Sequence, residues 1–285
     1  MKKCLIIENS FKEDSFAIGR EIDEFLSMRN IETSHFVIAE DSKKTKIDSV
    51  PFRGNDFVIT LGGDGTVLFA ARGSAPWNIP VFPVNLGLFG FIAGVQRNSW
   101  RSDLDLFIEG KLEAVGRNMI QVDVFRNKKK IFSSNSLNDV VLTSLLHVQM
   151  LSFDVVYNKS LLGHFKADGI IVATATGSTA YSVSAGGPIV DPELDAFVLT
   201  SINSFSLSVR PLVFNPEGKL SITMLPWRNN SVRAVIDGQD AVELTADDTV
   251  VITKSPHKAL LVGCTIGNFY EALRSKLNWA GGPHA

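Results

Sequence analysis

The sequence predicts a parallel α/β domain followed by a mostly β domain, and three observations predict it. Over roughly the first hundred residues, short apolar runs alternate with segments of helical period, the rhythm of a parallel sheet with crossover helices. After Leu112 the rhythm changes to short alternating segments divided by turn signals, which is how antiparallel β structure reads. The length of 285 residues exceeds one ordinary domain and falls short of three.

The elements follow in order. Residues 4–7 (Cys-Leu-Ile-Ile) form a buried-strand pattern, and Ile18, Ile22, Phe25 and Leu26 then recur at the spacing of one helix face. Residues 35–39 read as a second strand, and the polar run 41–46 as a solvated loop. Residues 56–61 form a third strand that runs into Gly62-Gly63-Asp64-Gly65, after which Thr66 would cap a helix reaching Arg72. A fourth strand over 79–84, a glycine-bearing turn over 85–94 and a helix over about 98–109 complete the first half. Beyond it, Arg126-Asn127-Lys128, Tyr157-Asn158-Lys159 and Asp237-Gly238 mark turns between strands. Helical spacing returns only near 179–185 and at 269–277. No internal repeat or low-complexity linker appears, so two rigidly joined domains are expected, with their cleft as the ligand site.

Composition narrows the function. At 45% hydrophobic and 20% charged, with 22 Gly and 11 Pro, the chain is globular and not disordered, collagen-like or coiled-coil. Lys plus Arg number 28 against 30 Asp plus Glu, so no global positive field exists to hold nucleic acid or a membrane surface. Cys4 and Cys264 have no metal-type spacing and are too few for a disulfide scaffold, which favours a cytoplasmic location with both thiols as buried spectators. The apolar run near Met1 ends after four residues, far short of a secretion signal. The long uncharged stretch 169–190 is full of Thr, Ser and Gly, which reads as a site and not a membrane span.

Four segments carry chemistry. Gly62, Gly63, Gly65 and Thr66 lie where a strand ends and a helix begins, the place where a parallel sheet binds ligands. Bare backbone amides and a helix N-terminus suit a phosphate. Asp64 in their midst conflicts with an anion unless it meets a metal ion or a hydroxyl proton. The competing reading is a tight turn with glycines at positive φ and Asp64 as a side-chain cap. The chain lacks the P-loop, the G-x-G-x-x-G dinucleotide fingerprint and the G-x-S-x-G elbow. The second glycine turn, Asn85-Leu86-Gly87-Leu88-Phe89-Gly90-Phe91, would lie beside the first, with ligand contact or a Phe89 or Phe91 core plug equally open.

Asn138 and Asp139 stand side by side within an apolar strand, so at least one points toward a core or cleft, where ribose hydroxyls are natural partners. The alternative is a strand-entry turn. The densest segment runs from Lys166 through Asp168 and Thr176-Gly177-Ser178-Thr179-Ala180-Tyr181-Ser182 to Pro188. Its small polar residues would present a surface of hydroxyls and amides to a flat ligand, with Tyr181 stacking, Lys166 answering a phosphate and Asp168 a polar ring edge or hydroxyl, the alternative being a Ser/Thr-rich helix packed closely on a strand. The five histidines share no ligand spacing, and His164 alone stands near this segment. Asp191, Glu193 and Asp195 read as a solvated turn around Pro192. No metal-ligating set is expected.

Together, Gly62-Gly63-Asp64-Gly65-Thr66, Asn85-x-Gly87-x-x-Gly90-Phe91, Leu137-Asn138-Asp139 and the 168–188 segment resemble the NAD kinase family. The glycine turn alone is shared with lipid kinases and phosphofructokinases, whereas the Thr-Gly-Ser-Thr-Ala-Tyr block is specific. The resemblance is strong over 56–192 and fainter through Asp237-Gly238-Gln239 to Trp279.

The resemblance implies transfer of the terminal phosphoryl of ATP to the adenosine 2'-hydroxyl of NAD, with a divalent metal, magnesium, on the nucleotide phosphates. Asp64 would accept the hydroxyl proton, Gly62, Gly63, Gly65 and Thr66 would bind phosphate, and Gly65 would also touch the dinucleotide. Asp64, Asn138, Asp139, Lys166, Asp168, Thr179, Ala180, Tyr181, Ser182, Val183, Ser184 and Gln239 would line the NAD site. A carboxylate is a far weaker base than an alkoxide, so Asp64 would orient the hydroxyl and take its proton late. The implied fold is a Rossmann-like α/β domain, 1–104 plus a returning 266–285, and a β-sandwich over 105–265, in a dimer or tetramer. Two departures stand out: Asp139 where the family more often has Glu, and Ala175 where a proline is frequent. A lipid or sugar kinase sharing the glycine turn, and a non-catalytic NAD(P) sensor, are the competing functions.

Overall fold

The computed structural model describes residues 1–12, 14–38, 47, 50–87, 90–144, 150–225, 232–279 and 281. They group into two units, Met1–Arg117 with His257–Ala285, and Asn118–Pro256. The expected loop 41–46, Phe89, His147 and His284 lie outside the described residues.

In the first unit β1 (Lys3–Asn9), α1 (Ser15–Ser27), β2 (Glu32–Ile38), β3 (Phe57–Gly62), α2 (Asp64–Ser74), β4 (Val81–Asn85), β5 (Val95–Gln96) and α3 (Trp100–Ile108) follow the expected alternation. The strands are parallel in the order β2-β1-β3-β4, with β5 beside β4. Every residue of β3 and β4 is buried, as in strands covered on both faces, which is why they read as unbroken apolar runs. Ile18, Ile22, Phe25 and Leu26 of α1 pack with Cys4, Ile6 and Ile59 in one core. One expectation is corrected: α2 starts at Asp64 with Gly63 as its N-cap, so Thr66 lies within its first turn and caps nothing.

The chain continues through β6 (Ala114–Arg126), β7 (Lys129–Ser136), β8 (Asp139–Ser144), β9 (Leu151–Tyr157), β10 (Ser160–Ala167) and β11 (Gly169–Thr174). A 3-10 turn (Thr176–Thr179) and α4 (Tyr181–Ser184) follow, then β12 (Phe197–Ile202), β13 (Leu212–Phe214), β14 (Leu220–Met224), β15 (Val232–Ile236), β16 (Asp240–Leu244), β17 (Thr249–Val262) and α5 (Ile266–Leu277). The unit boundaries fall inside β6 and β17, so no turn or linker composition marks them.

The second unit is a sandwich. One layer has the antiparallel order β13-β12-β11-β8-β15-β16, and the other includes β10-β9-β14-β17 with β6 and β7. Alternate residues of both, among them Val140, Leu142, Ile170 and Val172 facing Phe153, Val155, Leu220 and Ile222, fill the space between. The intervening residues Val141, Ile171, Ala173 and Val198 form a second apolar cluster with Ala175 and Val190. The 175–190 segment therefore covers part of the outer face of the six-stranded layer.

The three expected turns all form. Asn127 and Lys128, Asn158 and Lys159, and Asp237 and Gly238 each place two successive residues at positive φ, the backbone that tight hairpins of this hand require. The residues near 179–185 make a 3-10 turn and a single helical turn instead of one continuous helix. No helix among the described residues is long and apolar enough to cross a membrane.

Candidate active site

In the first unit the candidate residues gather at the carboxyl ends of β3 and β4. An added Cβ at Gly63 would meet nothing within 4 Å, so the backbone there faces open space. An added Cβ at Gly62 would collide with the Thr66 hydroxyl, which in turn accepts from Asn9 Nδ2 at 3.2 Å. Neither glycine has positive φ, so they serve close approach and not a left-handed turn.

Asp64 does not cap its own helix. Its Oδ2 accepts the backbone N–H of Phe91 at 3.0 Å, and its Oδ1 accepts those of Ile92 at 3.3 Å and Ala93 at 3.1 Å. The conflict between a carboxylate and an amide-rich turn is thus resolved by the neighbouring glycine turn. Gly90 permits the approach, since a Cβ there would strike Asp64 Oδ1. Phe91 meets Phe269 of α5 at a tilt of 55°, with centroids 6.1 Å apart, so it braces the turn from the side.

The amide turn is itself anchored. The Cys264 thiol donates to Ile92 O at 2.8 Å, and burial pushes that thiol up to about 12, which keeps its proton in place. The side chain of Asn268 donates to Gly263 O at 2.7 Å, and the Arg117 guanidinium to Cys264 O at 2.6 Å. Gly94 passes so close to the Gly263 carbonyl that no Cβ fits. Both cysteines are buried and free, as expected of spectators to chemistry, although Cys264 holds structure. Lys276, which sequence reasoning passed over as part of a helix, stands 3.7 Å from Asp64 Oδ2.

In the second unit a cavity of about 510 Å³ is lined by Asn138, Asp139, Val141, Thr143, Ala180, Tyr181, Arg233, Val235, Asp237 and Gly238. Val141 and Val235 make its floor on the outer face of β8 and β15. Asn138 is not in the strand but just before it, so the adjacent pair Asn138 and Asp139 line the same cavity. Arg233 and Asp237 also escaped the sequence reading. Arg233 is one exposed residue in an alternating strand, and Asp237 reads from sequence as a turn former in the fainter part of the resemblance.

Asp237 organises this corner. Its carboxylate accepts from the Ser136 hydroxyl at 2.7 Å and from the backbone N–H of Leu137 at 2.9 Å, Asn138 at 2.8 Å and Asp139 at 3.2 Å. The carboxyl of Asp139 is 5% exposed and shifts up to about 7. Burial is the main cause and the nearby Asp237 charge the second, opposed by a hydrogen bond from the Tyr181 backbone.

The Thr-Ser block behaves differently from the expected hydroxyl surface. Ser178 donates to Ala175 O at 2.7 Å and accepts from Val190 N at 3.0 Å. Thr179 bonds Thr176 O at 3.4 Å, and Ser182 pairs with the Thr200 hydroxyl at 3.0 Å. These buried hydroxyls lock the segment to itself and to β12, because a buried hydroxyl left unpaired would be costly. Gly177 lies against the Asn138 backbone, where a Cβ would strike the carbonyl group. Only Ala180 and the 47%-exposed Tyr181 of this block reach the cavity; Val183 is partly buried and Ser184 exposed.

Lys166 and Asp168 do not join it. They flank the Gly169 end of β11, whereas the Thr176–Thr179 turn follows its Thr174 end, roughly 17 Å away at ~3.3 Å per residue. Asp168 accepts from Asn203 Nδ2 at 2.9 Å, and Lys166 is exposed. Gln239 follows the Asp237–Gly238 turn and closes it, its N–H donating to Ile236 O at 2.9 Å. His164 is exposed and pairs with Asp154 at 2.5 Å, and Asp191 accepts Glu193 N in the expected turn.

Comparison with known proteins gives these features a common context. Residues 20–112 match the family model described as the ATP-NAD kinase N-terminal domain, and residues 137–264 that of the ATP-NAD kinase C-terminal domain. The chain is 44% identical over 283 residues to an NAD kinase of Treponema denticola, covering 99% of this chain and 98% of that one. It is 34% identical over 290 residues to an NAD kinase of Citrifermentans bemidjiense, covering 98% and 99%. Among solved structures, yeast NADH kinase complexed with NADH matches with a TM-score of 0.83 at 22% identity, covering 99% of this chain and 89% of that one. An NAD kinase from Archaeoglobus fulgidus in complex with ATP matches at 0.76 and 23%, covering 98% and 99%. At those identities the structural likeness is one of fold. The two domain matches and the full-length relatives together establish that the chain belongs to the NAD kinase family.

Proposed function

We propose that the chain moves the terminal phosphoryl of ATP onto the adenosine 2'-hydroxyl of NAD, giving NADP, with Asp64 as the proton acceptor. The observation that carries this reading is the Asp64 carboxylate, held by three backbone N–H groups beside the open backbone of Gly63. A carboxylate so fixed is oriented in advance, which is the main thing a loose phosphoryl-transfer transition state asks of a protein. As the hydroxyl oxygen bonds to the γ-phosphorus, its proton passes to Asp64, the bond from phosphorus to the bridging oxygen breaks, and ADP leaves.

Gly62, Gly63, Gly65 and Thr66 would receive phosphate on this reading. The dinucleotide would lie along Asn138, Asp139, Ala180 and Tyr181, with Thr179, Ser182, Val183 and Ser184 shaping that wall and Gln239 beside it. The buried hydroxyl pairs support a role for Ser182 and Thr179 through the backbone they hold. Lys166 and Asp168 would meet a different part of the ligand, given their place at the other end of β11. Among the described residues no three His, Cys, Asp or Glu side chains gather as a metal set. A magnesium ion would enter on the phosphates of ATP, as part of the substrate.

Two unpaired buried thiols suit a cytoplasmic location. Self-association as a dimer or tetramer is supported by exposed Phe205, Leu207, Leu212 and Val213 around the edge strand β13. Light scattering of the purified protein would measure it.

The activity is tested by incubating the protein with NAD, ATP and Mg²⁺ and following NADP with an NADP-specific dehydrogenase. Asp64→Asn is expected to bind NAD and lose turnover by roughly 10²–10⁴-fold. Turnover by Asp64→Asn close to that of the unaltered protein would remove the assigned role, and NAD binding without turnover by either would favour a sensor.

A further inference from the structure

The carboxylate of Asp64 has about four acceptor directions, and backbone N–H groups take three of them. The remaining one is on Oδ2, and the ammonium of Lys276 stands 3.7 Å from that oxygen. That separation is an ion pair without a hydrogen bond, wide enough to leave the lone pair to another donor. Lys276 also lies over the Phe91 ring, 5.3 Å from its centroid, so it touches both the carboxylate and the turn that holds it.

Its position is built, not incidental. The α5 helix is N-capped by the Thr265 side chain and buries Phe269, Ala272 and Leu273, which leaves Lys276 in the last turn on the side of Asp64. Asp64 is its sole ion-pair partner among the described residues. Both side chains are partly exposed, 33% and 29%.

We propose that Lys276 is a positioning residue for phosphoryl transfer. Its charge holds the Asp64 carboxylate in place through Oδ2 until the acceptor hydroxyl arrives there. The ammonium is not consumed: the proton released as oxygen bonds to phosphorus goes to Asp64. This inference rests on the reading of Asp64 as proton acceptor.

The test compares Lys276→Met, which keeps the stem and removes the charge, with Lys276→Arg, which keeps the charge. Lys276→Met is expected to lower kcat by about 10- to 100-fold with KM for NAD within about twofold and an unchanged melting temperature. Lys276→Arg should recover most of the loss. In an Asp64→Asn background, Lys276→Met should add no further loss, because the residue acts through that carboxylate. A kcat of Lys276→Met equal to that of the unaltered protein, equal losses in the Met and Arg variants, or an undiminished loss in the Asp64→Asn background would each overturn the proposal. If Asp64→Asn alone keeps full turnover, the underlying assignment fails instead, and that result is read from a separate protein.

Discussion

The Asp237 carboxylate accepts the backbone N–H of Asp139 at 3.2 Å, so one acidic residue shapes the backbone that presents another. The reverse bond, Asp237 N–H to Asp139 O at 3.0 Å, makes the link reciprocal. The charge of Asp237 also opposes ionisation of Asp139, second to burial, so one residue bears both on where that carboxyl sits and on when it titrates.

Removing the Asp237 side chain leaves the Ser136 hydroxyl and the amides of Leu137, Asn138 and Asp139 without their acceptor. Asp237→Ala should cost roughly 3 kcal/mol of stability. Urea unfolding would show it as a lower midpoint at unchanged slope, and calorimetry as weaker NAD binding.

The raised Asp139 carboxyl makes a prediction with a definite sign. In the unfolded chain this group ionises near its ordinary 3.8, and in the folded protein only near about 7. Between those values the folded state holds a proton that the unfolded state has lost, so stability falls as pH rises through that window. Asp139→Asn, which does not titrate, should therefore gain on the unaltered protein steadily from about pH 4 to pH 7 and then hold a constant lead, by on the order of 1 kcal/mol per pH unit within the window. Paired melting curves across that range test it; a lead that shrinks with rising pH would contradict the assignment.

Two glycine substitutions should fail in different ways. At Gly177 an added methyl meets the Asn138 backbone, which cannot yield, so Gly177→Ala should lower stability by roughly 1–3 kcal/mol and impair NAD binding. At Gly90 the obstacle is the Asp64 carboxylate, the end of a side chain, which can swing away. Gly90→Ala should keep its melting temperature within a few degrees and lose kcat. Equal melting temperatures for the two variants would refute the distinction.

The hairpin turns at Asn127–Lys128, Asn158–Lys159 and Asp237–Gly238 were legible in the sequence because a left-handed backbone is favoured by the turn residues themselves. The apolar faces of α1 and the fully buried β3 and β4 were legible for a similar reason: helical spacing and unbroken apolar runs report burial locally. The motifs that carry the family likeness were equally plain, since a ligand site concentrates unusual residues in short stretches. What those residues do to one another was decided only by tertiary structure. Asp64 meets amides 27 to 29 positions away, and Asp237 meets one 98 positions away. Neither separation leaves a periodic trace. The hydroxyls of Ser178 and Ser182 look alike as exposed ligand donors or as buried clamps until the partners at Val190 and Thr200 are brought beside them. Composition and local conformation determined which residues are available for chemistry; long-range hydrogen bonding, which depends on where the folded chain crosses itself, decided which of them line a cavity and which hold the frame.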